Sequence, residues 1–400
     1  MKNILIIGSG YGAIPAVDGG AIATLIDMYL EKNEEEYNNK VVVYSALSKK
    51  INKNMNTENV EYRYINTSES TCKIERILRG VITRTLKLYT GNGYINRVIK
   101  DLKNKKEFNN YDIVIIENIG KYSILLNKYF KDKLVLHLHN DYLNINTKFK
   151  EKILQNCNSV WGVSKFICNR VKEIDRENNY NTKIELLYNG VDINKFSEGN
   201  SLKEKEIRKK YNINEDDFVF LYTGRIYDKK GVKELIEAYR KFLNNNKETN
   251  SKLLIVGSIG YNQKEYLQNI KKIAYEYSEN IKFTGMVEYK DMPSIYNIAN
   301  VQFIPSLCEE AFGLVVIEGI SAGIPVVISN SGGMPEIIDN DNKVIVRREN
   351  IINDLYEMMN KLYKNDKLIK EIIQKQFIAI KKFNKENYCN NFQQLIENFK

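Results

Sequence analysis

The chain has 400 residues, with Lys and Arg at 60 against 50 Asp and Glu, a formal net charge of +10. Its 43% apolar content is enough to build real cores and excludes a mainly disordered chain, and its length predicts two domains. Cys72, Cys157, Cys168, Cys308 and Cys389 form no C-x-x-C pair, and His137 and His139 are the only histidines, which argues against a zinc site or a disulfide framework.

In chain order, KNILIIG reads as a strand entering a glycine turn, because its apolar run is too short for a signal peptide. No segment approaches the ~20 apolar residues that span a bilayer, so a cytoplasmic location is expected. GGAIATLIDMYLEKN reads as the first helix, and VVVYSAL, YDIVIIEN, KLVLHLH, SVWGVS and KIELLYNGV as further strands. These runs are Val- and Ile-rich and do not alternate with polar residues, as in parallel strands buried on both faces. The pattern then restarts. FVFLYTGR, KLLIVGS, NIKFTGMV, NVQFIPS, IPVVISN and KVIV read as strands, with helices such as GVKELIEAYRKFL between most of them. The fold class is therefore α/β, with two Rossmann-like domains in tandem. The joint falls in the polar stretch after Gly190. Leu355, Met358, Met359 and Leu362, then Phe392, Leu395 and Ile396, recur at helical spacing, so the chain ends in helices.

The segment PSLCEEAFGLVVIEGISAGIPVVISNSGGMPEII, residues 305–338, carries the most chemistry. It leaves a strand, sets Glu309 and Glu310 in a loop, and enters an apolar helix carrying Glu318. The helix start offers free amides and the positive end of a dipole, an anion site supplied by Phe312, Gly313 and Leu314. Eight residues of ideal helix span ~12 Å and leave two side chains ~80° apart, so Glu310 and Glu318 are expected to touch different parts of one ligand. They do not suit the paired carboxyls of a glycosidase.

Two other motifs compete. Gly8, Gly10 and Ala13 fit the dinucleotide-binding G-x-G-x-x-A of a nicotinamide- or flavin-dependent oxidoreductase. However, Pro15 and Gly19-Gly20 interrupt the helix start, and VVVYSALSKK ends without the required carboxylate. Asp339-Asn340-Asp341 is a D-x-D triplet in a polar segment and reads as a turn, with no metal implied.

Residues 305–338 resemble the donor-binding signature of family-four glycosyltransferases with the GT-B fold. TGRIYDKKGVKELIEAY is similar to that family's G-R-x(4)-K-G loop, YNGVDINKF to its interdomain linker, TGMVEYKDMPSIYNIANV to its base-binding segment, and DGGAIATLIDMYL to its G-G loop. The resemblance implies an acceptor domain at 1–190, a donor domain at 191–375 and a final helix at 376–400 packed back on the first domain. It implies a retaining transfer of sugar from a nucleotide-diphosphate donor to a hydroxyl acceptor, without metal or other cofactor. Arg225 and Lys230 match its diphosphate-binding cations, Glu310 its carboxylate near the transferred sugar, and Glu318 its ribose-binding carboxylate. Met286 and Val287 match its base contacts, Gly19 and Gly20 its close-approach loop, and His139 the strand-end residue facing the sugar. The family commonly has glycine after this histidine; here Asn140 and Asp141 follow, and either could touch the acceptor. By analogy the acceptor is a glycan or lipid-linked molecule of cell-surface polysaccharide or glycolipid synthesis. A catalytically inactive scaffold of the same fold is the non-enzyme alternative, which the joint presence of Arg225, Lys230, Glu310 and Glu318 opposes.

Residues 73–106 hold ten Lys or Arg against Glu75 and Asp101, with apolar positions at helical spacing. This stretch suits either a core-packed helix with a solvated basic face or peripheral contact with anionic lipid on the inner membrane face. No nucleic-acid motif accompanies the charge.

Overall fold

The computed structural model describes residues 1–51, 55–67, 89–176, 180 and 182–399. The chain divides into two units, Met1–Gly190 with Glu386–Lys400, and Val191–Lys385.

The first unit is built on a seven-stranded parallel sheet. Its strands are β1 (Asn3–Ile7), β2 (Lys40–Ala46), β3 (Val60–Ile65), β4 (Ile113–Glu117), β5 (Leu134–Leu138), β6 (Ser159–Gly162) and β7 (Lys183–Leu186), in the order β3-β2-β1-β4-β5-β6-β7. Ile4 pairs with Val41 on one side and Ile113 on the other. Ile4–Ile7 and Ile113–Ile116 are wholly buried, as their unbroken branched runs require. One strand escapes the apolar pattern: β3 is VEYRYI, a sheet edge where Arg63 pairs with Glu61 at 2.7 Å and also with Glu107. Residues 73–88 of the basic stretch lie outside the described residues. Its remainder forms helix Gly93–Lys105, which buries Tyr94, Ile95, Val98 and Leu102, so that apolar face is spent on the core.

The second unit holds a six-stranded parallel sheet. β8 (Phe218–Thr223), β9 (Ser251–Val256), β10 (Ile281–Gly285), β11 (Val301–Ile304), β12 (Val326–Ser329) and β13 (Ile345–Val346) run in the order β10-β9-β8-β11-β12-β13. In both sheets the strand order reverses beside the first strand, at β1/β4 and β8/β11. The loops leaving those strands frame the crevice where open α/β sheets bind ligands.

The second unit runs on through helix Asp366–Ile380, so the chain returns to the first unit at Glu386 and not at residue 376. Helix Lys385–Asn398 then completes the first core. Phe392 lies 4.2 Å ring to ring from Tyr29, and Tyr388, Cys389 and Ile396 join Ile4, Ile6 and Trp161 in one cluster. Lys2 Nζ donates to the carbonyls of Ile396 and Phe399, each at 2.7 Å, capping the helix end. Phe392 is fully buried, so Phe392→Ala should cost about 3–5 kcal/mol, read as a lowered urea midpoint of the first unit.

Candidate functional site

Polar side chains of the second unit converge where β8 and β11, paired neighbours, release their loops. Gly231 makes this possible. A Cβ there would stand 1.9 Å from the Pro305 carbonyl oxygen, so only glycine lets the β8 loop lie against the β11 loop. Two backbone bonds stitch them, from Leu307 N (2.9 Å) and Cys308 N (3.2 Å) to the Lys229 carbonyl.

That seam brings residues eighty apart in sequence into contact: Lys230 Nζ donates to Glu310 Oε1. The pair is largely shielded, with side chains 16% and 18% exposed, and Ser306 Oγ donates to the same carboxylate oxygen. Arg225 is exposed, and its guanidinium carbon stands 5.7 Å from the Tyr227 ring centroid, as does Lys230 Nζ. Two cations therefore share one aromatic ring at the mouth of the loop. Gly313, at φ +117°, opens helix Leu314–Ser321, and Phe312 is buried beneath it. The arrangement offers a planar cation, a point cation and a helix start, which together suit a multiply charged anion.

Glu318 sits one turn into that helix and is buried. It accepts from Tyr296 at 2.8 Å, at the end of a relay running from Gln302 through Thr223 (2.7 Å) and Tyr296 (3.2 Å). Burial pushes its carboxyl up to about 7, against the Tyr296 hydrogen bond and the Lys195 charge, which favour the ionised form. Glu310 and Glu318 thus have separate partners. Below the unfolded carboxyl's range both states are protonated and Glu318 costs nothing. The cost grows as pH rises through that range and is complete above about 7. Glu318→Gln should therefore raise the thermal midpoint at pH 8 and leave it unchanged at pH 4, in paired melting scans.

Met286 and Val287 follow β10 directly. They line a cavity of about 340 Å³ with Lys203, Lys210, Tyr211 and Ile295, and neither Glu310 nor Glu318 borders it. Met286 is exposed.

In the first unit, Gly19 and Gly20 precede helix Ala21–Lys32 with positive φ, and open space surrounds them. The helix begins at Ala21, well beyond Gly8 and Gly10, so the dinucleotide fingerprint lacks its helix. His139 follows β5 and is nearly as buried as His137. Its Nε2 lies 2.7 Å from Glu117 Oε2, and His137 Nδ1 lies 3.2 Å from the same oxygen. Burial, with His137 alongside, brings the His139 imidazole down to about 4. Burial would raise the Glu117 carboxyl, but the two imidazoles outweigh it and bring it to about 2. At neutral pH the unit therefore carries an anionic Glu117 accepting from a neutral His139. Ligating atoms of these three residues lie within 4.8 Å of one another, but those atoms already bond each other. Asp141 is held by Arg170 at 3.0 Å and by Asn144. Asp339 and Asn340 take left-handed turn conformations, in keeping with a D-x-D turn.

The sequence motifs did not single out Glu117, Tyr296, Lys195, Ser306 or Arg348. Apart from Ser306, four residues before Glu310, each meets a partner distant in sequence that no local spacing marks.

Residues 203–377 match the family model described as group 1 glycosyl transferases. YtcC of Bacillus subtilis (strain 168), provisionally named a glycosyltransferase, is 30% identical over 219 residues, 52% of this chain and 53% of that protein. The chain thus spans about half the length of YtcC. The lipopolysaccharide 1,2-N-acetylglucosaminetransferase of Salmonella typhimurium (strain LT2) is 25% identical over 317 residues, 76% of this chain and 77% of that protein. Among solved structures, Anabaena HepE in complex with UDP and glucose superposes with a TM-score of 0.74 at 16% identity, covering 99% of this chain and 100% of that one. At that identity the likeness carries the fold, the GT-B pairing of two Rossmann-like units.

Proposed function

We propose that this chain, a member of the group 1 glycosyl transferases through residues 203–377, moves a sugar from a nucleotide-diphosphate donor to a hydroxyl acceptor with retention of configuration. One observation carries the reading most. Arg225, Lys230, Glu310 and the helix start at Gly313 meet where β8 and β11 release their loops, in a seam that only glycine at 231 permits.

In this reading Arg225 and Lys230 take the donor diphosphate, whose oxygens gain charge as the glycosidic bond breaks. Fixed cations stabilise that charge most in the transition state. The helix start at Gly313 adds backbone amides to the same anion. Glu310, beside Lys230, faces the transferred sugar's hydroxyls, and Glu318 takes the ribose hydroxyls. Met286 and Val287 take the base. The leaving diphosphate takes the acceptor's proton on the same face, so no protein nucleophile, metal or other cofactor takes part.

The Salmonella relative's name places that protein in lipopolysaccharide chemistry. We extend the class to this chain: the acceptor is a glycan or lipid-linked glycan of the cell surface. Among the described residues no helix is long and apolar enough to cross a membrane. Peripheral contact at the inner membrane face would have to use residues 73–88 and the basic, outward side of helix Gly93–Lys105.

The test is a thermal-shift panel of nucleotides and nucleotide sugars. A ligand that binds only the folded state stabilises it by RT ln(1 + [L]/Kd), so the right base should stand out. A flat panel at millimolar ligand would reject the reading.

A further inference from the structure

Glu309 and Glu310 are neighbours in the loop after β11, yet their carboxylates serve different partners. Glu310 takes Lys230 and Ser306. Glu309 takes the Arg348 guanidinium through Oε1 at 2.9 Å and the Gly332 amide through Oε2 at 2.7 Å. Arg348 Nη1 also donates to the Leu307 carbonyl at 3.3 Å. Arg348 stands in the short turn between β13 and helix Ile351–Leu362, and Gly332 in the turn after β12.

The same two turns hold the loop's backbone. Gly333 N donates to the Glu310 carbonyl at 2.8 Å, and Glu310 N donates to Ser331 Oγ at 3.1 Å, whose hydroxyl donates to the Cys308 carbonyl. A Cβ on Gly332 would stand 2.0 Å from the Glu310 carbonyl oxygen, so this approach is as close as glycine allows. The irregular segment between β11 and Gly313 is thus seamed to Lys229 on one side and clasped by the β12 and β13 turns on the other. The fork of Arg348 is already engaged by a carboxylate and a carbonyl. It is therefore not placed as a third diphosphate cation.

We propose that Arg348 and Glu309 form a positioning pair. They hold Glu310 and the helix start at Gly313 in register with Lys230, so that the donor meets a preformed site. The function of the pair rests on the donor-site reading above; the clasp itself does not.

The variants are Arg348→Ala, Arg348→Lys and Glu309→Gln. The first readout is amide hydrogen exchange at residues 309–313 in the unliganded protein. The second is the Kd for UDP, ADP and GDP, each measured separately. In Arg348→Ala, exchange at these amides should speed by about tenfold, and the affinity for whichever nucleotide the wild type binds should fall about five- to tenfold. Exchange in the β8 and β9 amides should stay unchanged. Arg348→Lys keeps the charge without the fork and should fall between wild type and Arg348→Ala, as should Glu309→Gln, which keeps an acceptor for the Gly332 amide without the charge. Unchanged exchange at 309–313 in Arg348→Ala, or an Arg348→Lys variant no better protected than Arg348→Ala, overturns the clasp. If the wild type binds none of the three nucleotides while Arg348→Ala still loosens the loop, the donor reading fails and the clasp stands. If the wild type binds one and Arg348→Ala changes neither exchange nor affinity, the clasp fails and the donor reading stands.

Discussion

Lys230→Ala is expected to lower turnover by about 100- to 1000-fold, the loss typical of deleting one group that stabilises developing negative charge. The fold should survive. The carboxylate left behind on Glu310 keeps Ser306 and some solvent, with 18% of its side chain exposed, so the stability cost should be about 1 kcal/mol. Initial rates of donor consumption, paired with circular dichroism melts, separate the two effects. Near wild-type rates in a folded variant would contradict the assignment of Lys230 to the diphosphate.

Glu310→Gln should produce an opposed pair of changes. Glu310 pairs with the Lys230 ammonium that, in the proposed reading, takes the diphosphate. Removing its charge leaves Lys230 without that competitor. The affinity for a nucleoside diphosphate should rise by up to about fivefold, the ceiling for a partly shielded ion pair. Turnover should nevertheless fall by about 100-fold, because a neutral amide no longer accepts hydrogen bonds from the transferred sugar's hydroxyls as a carboxylate does. Isothermal titration with the diphosphate and steady-state kinetics with the sugar nucleotide test the two arms. Weaker binding of the diphosphate would mean that Glu310 supports Lys230 in place more than it competes for it.

The strands that bury both faces were legible because their chemistry is local. NILII, IVIIE and FVFLYT have nowhere to go but a covered parallel sheet. β3 was not legible, since VEYRYI sits at an edge where Arg63 finds Glu61 and Glu107, and charge there hides the pattern. The loop at 305–313 could be read as a site because strand, glycine and apolar helix follow one another directly. Its supports could not. Arg348 and Ser331 become neighbours of that loop, and Tyr296 of Glu318 behind it, only after the pairings of β8, β11, β12 and β13 bring them there. The same holds for Glu117, which ends one strand and meets a histidine that follows the next. Helical spacing placed Phe392 and Ile396 on one face, but only the tertiary fold reveals that this face closes a core begun at Ile4.

That return has a consequence for how the molecule is made. The second unit is one continuous piece, and its two ends are tied together, with Val191 N donating to the Phe383 carbonyl at 2.9 Å. It can fold as soon as it leaves the ribosome. The first unit is translated earlier but stays open at its centre until Tyr388, Phe392 and Ile396 emerge. A nascent chain stalled short of them would present a finished carboxyl-terminal lobe and an amino-terminal lobe with exposed apolar surface, the part that chaperones and proteases would find first.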